Sequence, residues 1–213
     1  SCSEEEIDDL WAKLSEGGEV LMEFQEYPFS KKYGWCKDKF GVSWQLSIGQ
    51  SLQKITPSLL FVGDKAGKTK EAIEYYSGLF DDSGTEMLAE YASGEGDIAG
   101  YIKFGSFKLA GQNFIAMDSS AQHKFTFNEA VSFYVSCEDQ AEIDRLWAKL
   151  SAVPESEQCG WCKDKFGVSW QLVPKRFEEL VKDPDQEKSK KVMEAMLKMH
   201  KIEVSELEKA YNS

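Results

Sequence analysis

Five cysteines, two histidines and a few amides are the side chains of this 213-residue chain best suited to chemistry. The cysteines are Cys2, Cys36, Cys137, Cys159 and Cys162. Cys159 and Cys162 form a CxxC pair, a spacing that suits a redox dithiol or half of a zinc site. A zinc site needs further soft ligands. No second CxxC occurs, and Tyr33 stands at the position related to Cys159. The pair is therefore expected to be two reduced structural thiols, and the odd count points to a reducing cytoplasm, not a disulfide framework. His123, in QHKFTFNEA, could be a general base near neutral pH. No carboxylate or nucleophile is tied to it by spacing, so a surface histidine is the plainer expectation. His200 sits in a Lys/Met-rich tail and reads as a bystander. Gly63–Lys70, GDKAGKTK, looks like a phosphate loop, but Gly63 and Gly67 are only four apart and the GxxxxGK[ST] spacing is missing. Trp35, Trp44, Trp161 and Trp170 could cage a ligand, yet packing between sheet and helix is the stronger reading. Gln112 and Asn113 open a strand with Phe114 and are candidates for ligand contact.

These residues are carried by a repeat. The string GWCKDKFGVSWQL occurs unchanged at Gly34–Leu46 and Gly160–Leu172. Each copy follows a helical segment with the same apolar stripe: Ile7, Leu10, Trp11 and Leu14 in the first, Ile143, Leu146, Trp147 and Leu150 in the second. The second is preceded by the strand VSFYV, Val131–Val135. Within the string, KDKFG reads as a turn and GVSWQLV as an alternating strand, with Val168, Trp170 and Leu172 on one face and Ser169, Gln171 and Val173 on the other. Between the copies the same order recurs: a strand (Ile55–Val62), a helix (Thr69–Phe80) and a hairpin (Ile98–Asp118) broken at Gly111–Gln112. After Pro174 a helical tail is expected over about 176–182, 186–201 and 205–211. Ser205 and Glu208 are spaced for a capping box. Val192, Met196 and Met199 form an apolar stripe, with Met193 beside it, expected to pack on its own domain or a partner. The organisation expected is 1–50 as half a domain, 55–174 as a complete one, and 175–213 as a tail. One complete pair of units plus half of another is what the repeat implies.

Composition narrows the function. With 42% hydrophobic and 13% aromatic residues the chain can fill a core. The net charge of −12 argues against nucleic acid and against an anionic membrane surface. Residues 175–213 hold equal numbers of basic and acidic side chains, so the whole excess lies in 1–174. No apolar run approaches the length of a membrane span.

The motifs ITPSLLFVGDKAGKTKEAIEYYSGLF, FKLAGQNFIAMD, KFTFNEAVSFYVSCEDQAEIDRLWAKL and CGWCKDKFGVSWQLVP cover nearly all of 55–174. Together they resemble the vicinal-oxygen-chelate superfamily of glyoxalase I, bleomycin-resistance proteins and extradiol dioxygenases. More narrowly they resemble its PhnB-like group, labelled 3-demethylubiquinone-9 3-methyltransferase. The tail KVMEAMLKMHKIEVSELEKAY is similar to the usual end of that group. Residues 1–50 resemble the second half of another such domain.

The resemblance implies an α+β fold in which paired βαβββ units form a half-open, eight-stranded barrel around a cleft. It places Gln171 at a last-strand ligand site, Gln45 at the matching place in the N-terminal half, and first-strand positions near Pro57 and Ser132. Proline cannot ligate through its side chain and serine is a poor ligand, so no metal and no cofactor is expected. Gln171 and Ser132 would point into the cleft, as a hydrogen-bonding pair for a polar ligand or a buried polar contact between the halves. His123 would border the cleft mouth. The function expected is metal-independent binding of a small molecule. The alternatives are an enzyme of lyase, isomerase, dioxygenase or methyltransferase type, and a structural module. The partners expected are an unknown small molecule and a second copy of the chain, paired through residues 1–50, unless that segment packs on the 55–174 domain, swapped or in cis.

Overall fold

The computed structural model describes residues 3–49 and 53–213. Cys2 and part of the linker at 49–54 lie outside the described residues. The fold is α+β, with three separate sheets and six α-helices among the described residues.

The first sheet is an antiparallel meander. Helix α1 (Glu4–Ser15) opens on Ser3, whose hydroxyl accepts from the Glu6 N–H at 3.3 Å. Three glutamates in its first turn and Lys13 in its last complement the helix dipole. Strands β1 (Glu19–Tyr27), β2 (Ser30–Lys37) and β3 (Ser43–Ser47) then pair in chain order. Trp11 of α1 stacks on Phe24 of β1 with centroids 4.8 Å apart. Gly34 makes room for that stack, since a Cβ there would sit 2.5 Å from the Trp11 ring.

The second sheet comprises β4 (Ser58–Phe61), β5 (Gly84–Glu90), β6 (Ile102–Leu109) and β7 (Gln112–Asp118), with α2 (Thr69–Ser77) between β4 and β5. Its order is β4-β7-β6-β5, with β4 parallel to β7. The hairpin turns at Ala110 and Gly111, both with positive φ (47° and 76°), the backbone that a tight two-residue hairpin turn demands. The loop GDKAGKTK is spoken for by the protein itself. The buried Asp118 accepts from the Gly67 N–H at 2.8 Å, the Thr69 N–H at 3.2 Å and the Ile102 N–H at 2.9 Å. Amides that could have cradled a phosphate hold a carboxylate of β7 instead.

The third sheet repeats the plan with one strand fewer. Strand β8 (Ser132–Cys137) leads into α3 (Gln140–Leu150), then β9 (Trp161–Lys163) and β10 (Ser169–Pro174), in the order β8-β10-β9 with β8 parallel to β10. Asp139 caps α3 by accepting from the Glu142 N–H at 2.9 Å. The second and third sheets hold four and three strands, so the expected eighth strand is not formed. Its place, before β9, holds a 3₁₀ turn at Pro154–Ser156. The physical reason is local: the segment is short and polar, and Pro154 has no N–H to give a ladder.

One core joins these two sheets. It gathers Phe61, Ile73, Tyr76 and Phe107 from the second sheet and α2 with Ile143, Leu146, Trp170 and Leu172 from α3 and the third. Burying each such side chain contributes roughly 1.5–3 kcal/mol. A smaller core forms where α4 (Lys175–Val181), α5 (Gln186–Met196) and α6 (Val204–Asn212) close over Val173 of β10, using Leu180, Val192, Ile202 and Leu207. The Val192, Met196 and Met199 stripe packs there, while Met193 is exposed. The Ser205 capping box is not formed. Helix α6 begins after Glu203 without a side-chain cap, and Glu208 is instead held by the Arg176 guanidinium at 2.5 Å. Among the described residues no helix is long and apolar enough to cross a membrane.

Candidate functional site

The strand alternation of β8 and β10 sets out one polar face. Ser132 and Tyr134 project from β8, Ser169 and Gln171 from β10, and the cross-strand partners Lys163 and Trp161 from β9. On it the Gln171 Nε2 donates to the Ser132 Oγ at 2.7 Å, in a half-buried setting. Ser169 is buried, lies in register with Ser132, and its hydroxyl has no hydrogen-bond partner among the described residues. A buried hydroxyl left unmatched costs free energy comparable to a lost hydrogen bond, so it calls for a reason. Tyr134 donates to Glu178 of α4 at 2.7 Å, and burial together with that carboxylate pushes its phenol above the ordinary range. The tail thus closes one end of the face.

The other residues singled out from the sequence fall elsewhere. Asn113 is engaged through its backbone: its N–H donates to Gln53 Oε1 at 2.8 Å and its carbonyl accepts from Gln53 Nε2 at 2.9 Å. Gln112 is exposed at the start of β7. His123 shares a 2.9 Å hydrogen bond with the Ser119 hydroxyl, and its ring lies near Phe125 and near Trp35 of the N-terminal sheet. No hydrogen bond joins any of the three to Gln171 or Ser132 among the described residues. Gln45, the counterpart of Gln171, accepts from the Tyr33 hydroxyl at 3.0 Å.

The donor set does not suit a divalent ion. Ser132 already holds the Gln171 amide, Pro57 has no side-chain donor, and no three His, Cys, Asp or Glu side chains cluster among the described residues. Burial pushes the Cys162 and Cys137 thiols up to about 12, far from the reactive thiolate range. Cys159 is a free thiol whose backbone, at φ 53°, turns its N–H onto the Met199 carbonyl at 2.8 Å. The CxxC thus anchors the tail, through backbone geometry that spacing could not reveal. Two shallow hollows, of about 320 and 350 Å³, lie off the Gln171–Ser132 pair. The larger, lined by Glu129, Ser156, Gln158, Cys159 and Trp161, adjoins it through Trp161, the strand partner of Gln171.

What the sequence did not signal is Asp164. It accepts from the Tyr76 hydroxyl at 2.7 Å, the Trp170 indole at 2.8 Å and the N–H groups of Phe166 and Val168 at 2.9 and 3.0 Å. Burial raises its carboxyl above the usual range despite these four donors. Asp38, the same residue of the first copy, accepts from Trp44, Phe40 and Val42, and those bonds hold it below that range. One string yields opposite shifts because only one copy is covered.

Several solved structures are similar to this chain. A putative 3-demethylubiquinone-9 3-methyltransferase, PhnB protein, from Bacillus cereus is 39% identical, with 57% of this chain and 99% of that one covered and a TM-score of 0.51. A protein from Staphylococcus aureus is 28% identical over 59% and 98% of the two chains, with a TM-score of 0.28. Protein PA1353 from Pseudomonas aeruginosa is 22% identical over 58% and 98%, with a TM-score of 0.46. Among curated proteins none matches. The family described as 3-demethylubiquinone-9 3-methyltransferase matches residues 1–47 and 53–173, taking in both copies of the string. The chain, with its glyoxalase-like α+β fold, belongs to that PhnB-like family.

Proposed function

We propose that the chain binds a small polar molecule without a metal, on the face between the second and third sheets. Those sheets are read as the two walls of a half-open cleft within a domain spanning about 55–174, with 175–213 as its cover. The observation that carries this is the Gln171–Ser132 pair beside the unmatched Ser169 hydroxyl. An amide and two hydroxyls offer donors and acceptors but no charge, which suits a neutral or zwitterionic ligand over a strong anion. Asn113, Gln112 and His123 are assigned to the rim at most, since their contacts lead away from the pair.

Native mass spectrometry of protein purified from its own host tests the reading. A bound organic mass at one per chain is expected. It should be lost in Gln171→Leu and weakened about tenfold or more in Ser132→Ala, with circular dichroism unchanged. Retention of the same mass in Gln171→Leu would sink the assignment of the site. A tightly held metal in place of an organic mass would return the enzymes of the superfamily to the fore.

A further inference from the structure

The string GWCKDKFGVSWQL is seen twice in one molecule, once covered and once bare, and the covered copy shows what the bare one lacks. In the second copy Phe166 is 3% exposed and Val168 4%. Phe166 is met by Phe61, Tyr75 and Tyr76 at ring separations of 6.0, 5.9 and 5.7 Å. Trp170 is met by Tyr76, Phe80 and Phe133. The Tyr76 hydroxyl closes on Asp164, and Lys165 pairs with Glu71 of α2 at 2.7 Å. The edge of β10 away from β9 is taken by β8, running parallel.

In the first copy Phe40 is 82% exposed and Val42 45%. Lys39 lies over the Phe40 ring and makes no ion pair among the described residues. The edge of β3 away from β2 carries no strand among the described residues. Yet the turn is already built: Asp38 receives Phe40, Val42 and Trp44 as Asp164 receives their counterparts. A site formed before its partner arrives binds at lower ordering cost.

We infer that the N-terminal sheet is a docking surface for a second opening unit of the 58–137 kind. The occupant has a helix whose tyrosine hydroxyl reaches Asp38, an acid for Lys39, aromatic side chains over Phe40 and Trp44, and a strand that runs parallel to β3. A second copy of this chain answers that description poorly. Its own 58–80 face is already filled by its 160–172 string. Two β3 strands meeting edge to edge across a two-fold axis normal to the sheet would run antiparallel, not parallel. This inference stands on the repeat and does not depend on the ligand reading.

The test joins an extra copy of residues 53–135 ahead of Ser1, so that its VSFYV strand runs into Ser1–Cys2 as the natural one runs into Ser136–Cys137. Amide hydrogen exchange over 38–46 is expected to slow about 100-fold, approaching that of 164–172. Replacing the added tyrosine that corresponds to Tyr76 by phenylalanine should return part of that loss. A second chain, Phe166→Asp in the unextended protein, frees the 58–80 face. There the intact 38–46 string of another copy should dock, with protection moving from 164–172 to 38–46 and being lost again in Phe40→Asp/Phe166→Asp. Segment 38–46 remaining unprotected in both chains overturns the inference. So does an unextended wild-type dimer in which 38–46 is already protected, since the occupant is then a second copy.

Discussion

Asp164 and Asp38 occupy the same place in the same thirteen residues, so they isolate the effect of environment on a carboxylate. Asp164→Ala strands the Tyr76 hydroxyl, the Trp170 indole and two backbone N–H groups in a buried site. A loss of about 3 kcal/mol or more is expected in urea unfolding. Asp38→Ala should leave the midpoint nearly unmoved, because water can replace what it held. The pH dependence has a definite sign. The folded-state pKa of Asp164 lies above the unfolded value, so folding takes up a proton as the pH falls through that interval. Its contribution is greatest below the unfolded value and is lost as pH rises through the folded one. The stability of the native protein relative to Asp164→Asn should therefore grow as the pH is lowered toward the ordinary carboxylate range. An unchanging difference across that range would show that Asp164 stays ionised throughout.

At the scale of elements, the tail is joined to β10 by backbone and by packing. The N–H groups of Cys159 and Gly160 donate to the carbonyls of Met199 and His200, each at 2.8 Å, and Ile202 lies under the turn. Gly160 has φ 83°, and a Cβ there would meet the Leu172 carbonyl at 2.8 Å and Ile202 at 2.9 Å. Gly160→Ala is expected to cost about 2 kcal/mol. Gly84→Ala at the head of β5, with ordinary φ and open space, should be neutral or slightly stabilising. Ile202→Ala opens a cavity in the smaller core and should cost about 2–5 kcal/mol. Thermal melts of the three variants rank these effects, and a Gly160→Ala melt like that of the parent would refute the packing argument. The helical stripes, the hairpin break and the strand alternation were all readable in the chain. The missing eighth strand was written locally in Pro154 and the short polar segment around it, though the resemblance pointed the other way. The unformed cap was not readable, because Arg176, 32 residues away, competes for Glu208.

For the whole molecule, the repeat allows a comparison that few proteins offer. Phe166 and Phe40 share their local sequence and their turn, and differ in what lies above them. Phe166→Ala should destabilise by about 3–5 kcal/mol, and Phe40→Ala should change stability by less than about 0.5 kcal/mol. Equal effects in denaturant unfolding would mean that the N-terminal sheet is covered in solution. The acidic balance belongs to this scale too: the excess of −12 lies in the sheet-bearing part, and the tail is neutral. It keeps a molecule with an exposed apolar patch from associating indiscriminately.

The chain alone established the helices, most of the strands and the twofold occurrence of the string, and by resemblance the family; β5 went unread in it. The helices and strands it showed follow from periodicity and residue type, which are local properties. It could bring Gln171 and Ser132 together only through resemblance. It could not foresee that Asp118 would fill the GDKAGKTK loop, that Tyr76 would close on Asp164, or that the CxxC would serve the tail through its backbone. Each of those joins residues far apart in sequence, and burial, which local sequence does not encode, sets its energy. Identical residues at 34–46 and 160–172 became a bare surface in one place and a core in the other, because packing is a property of pairs of elements.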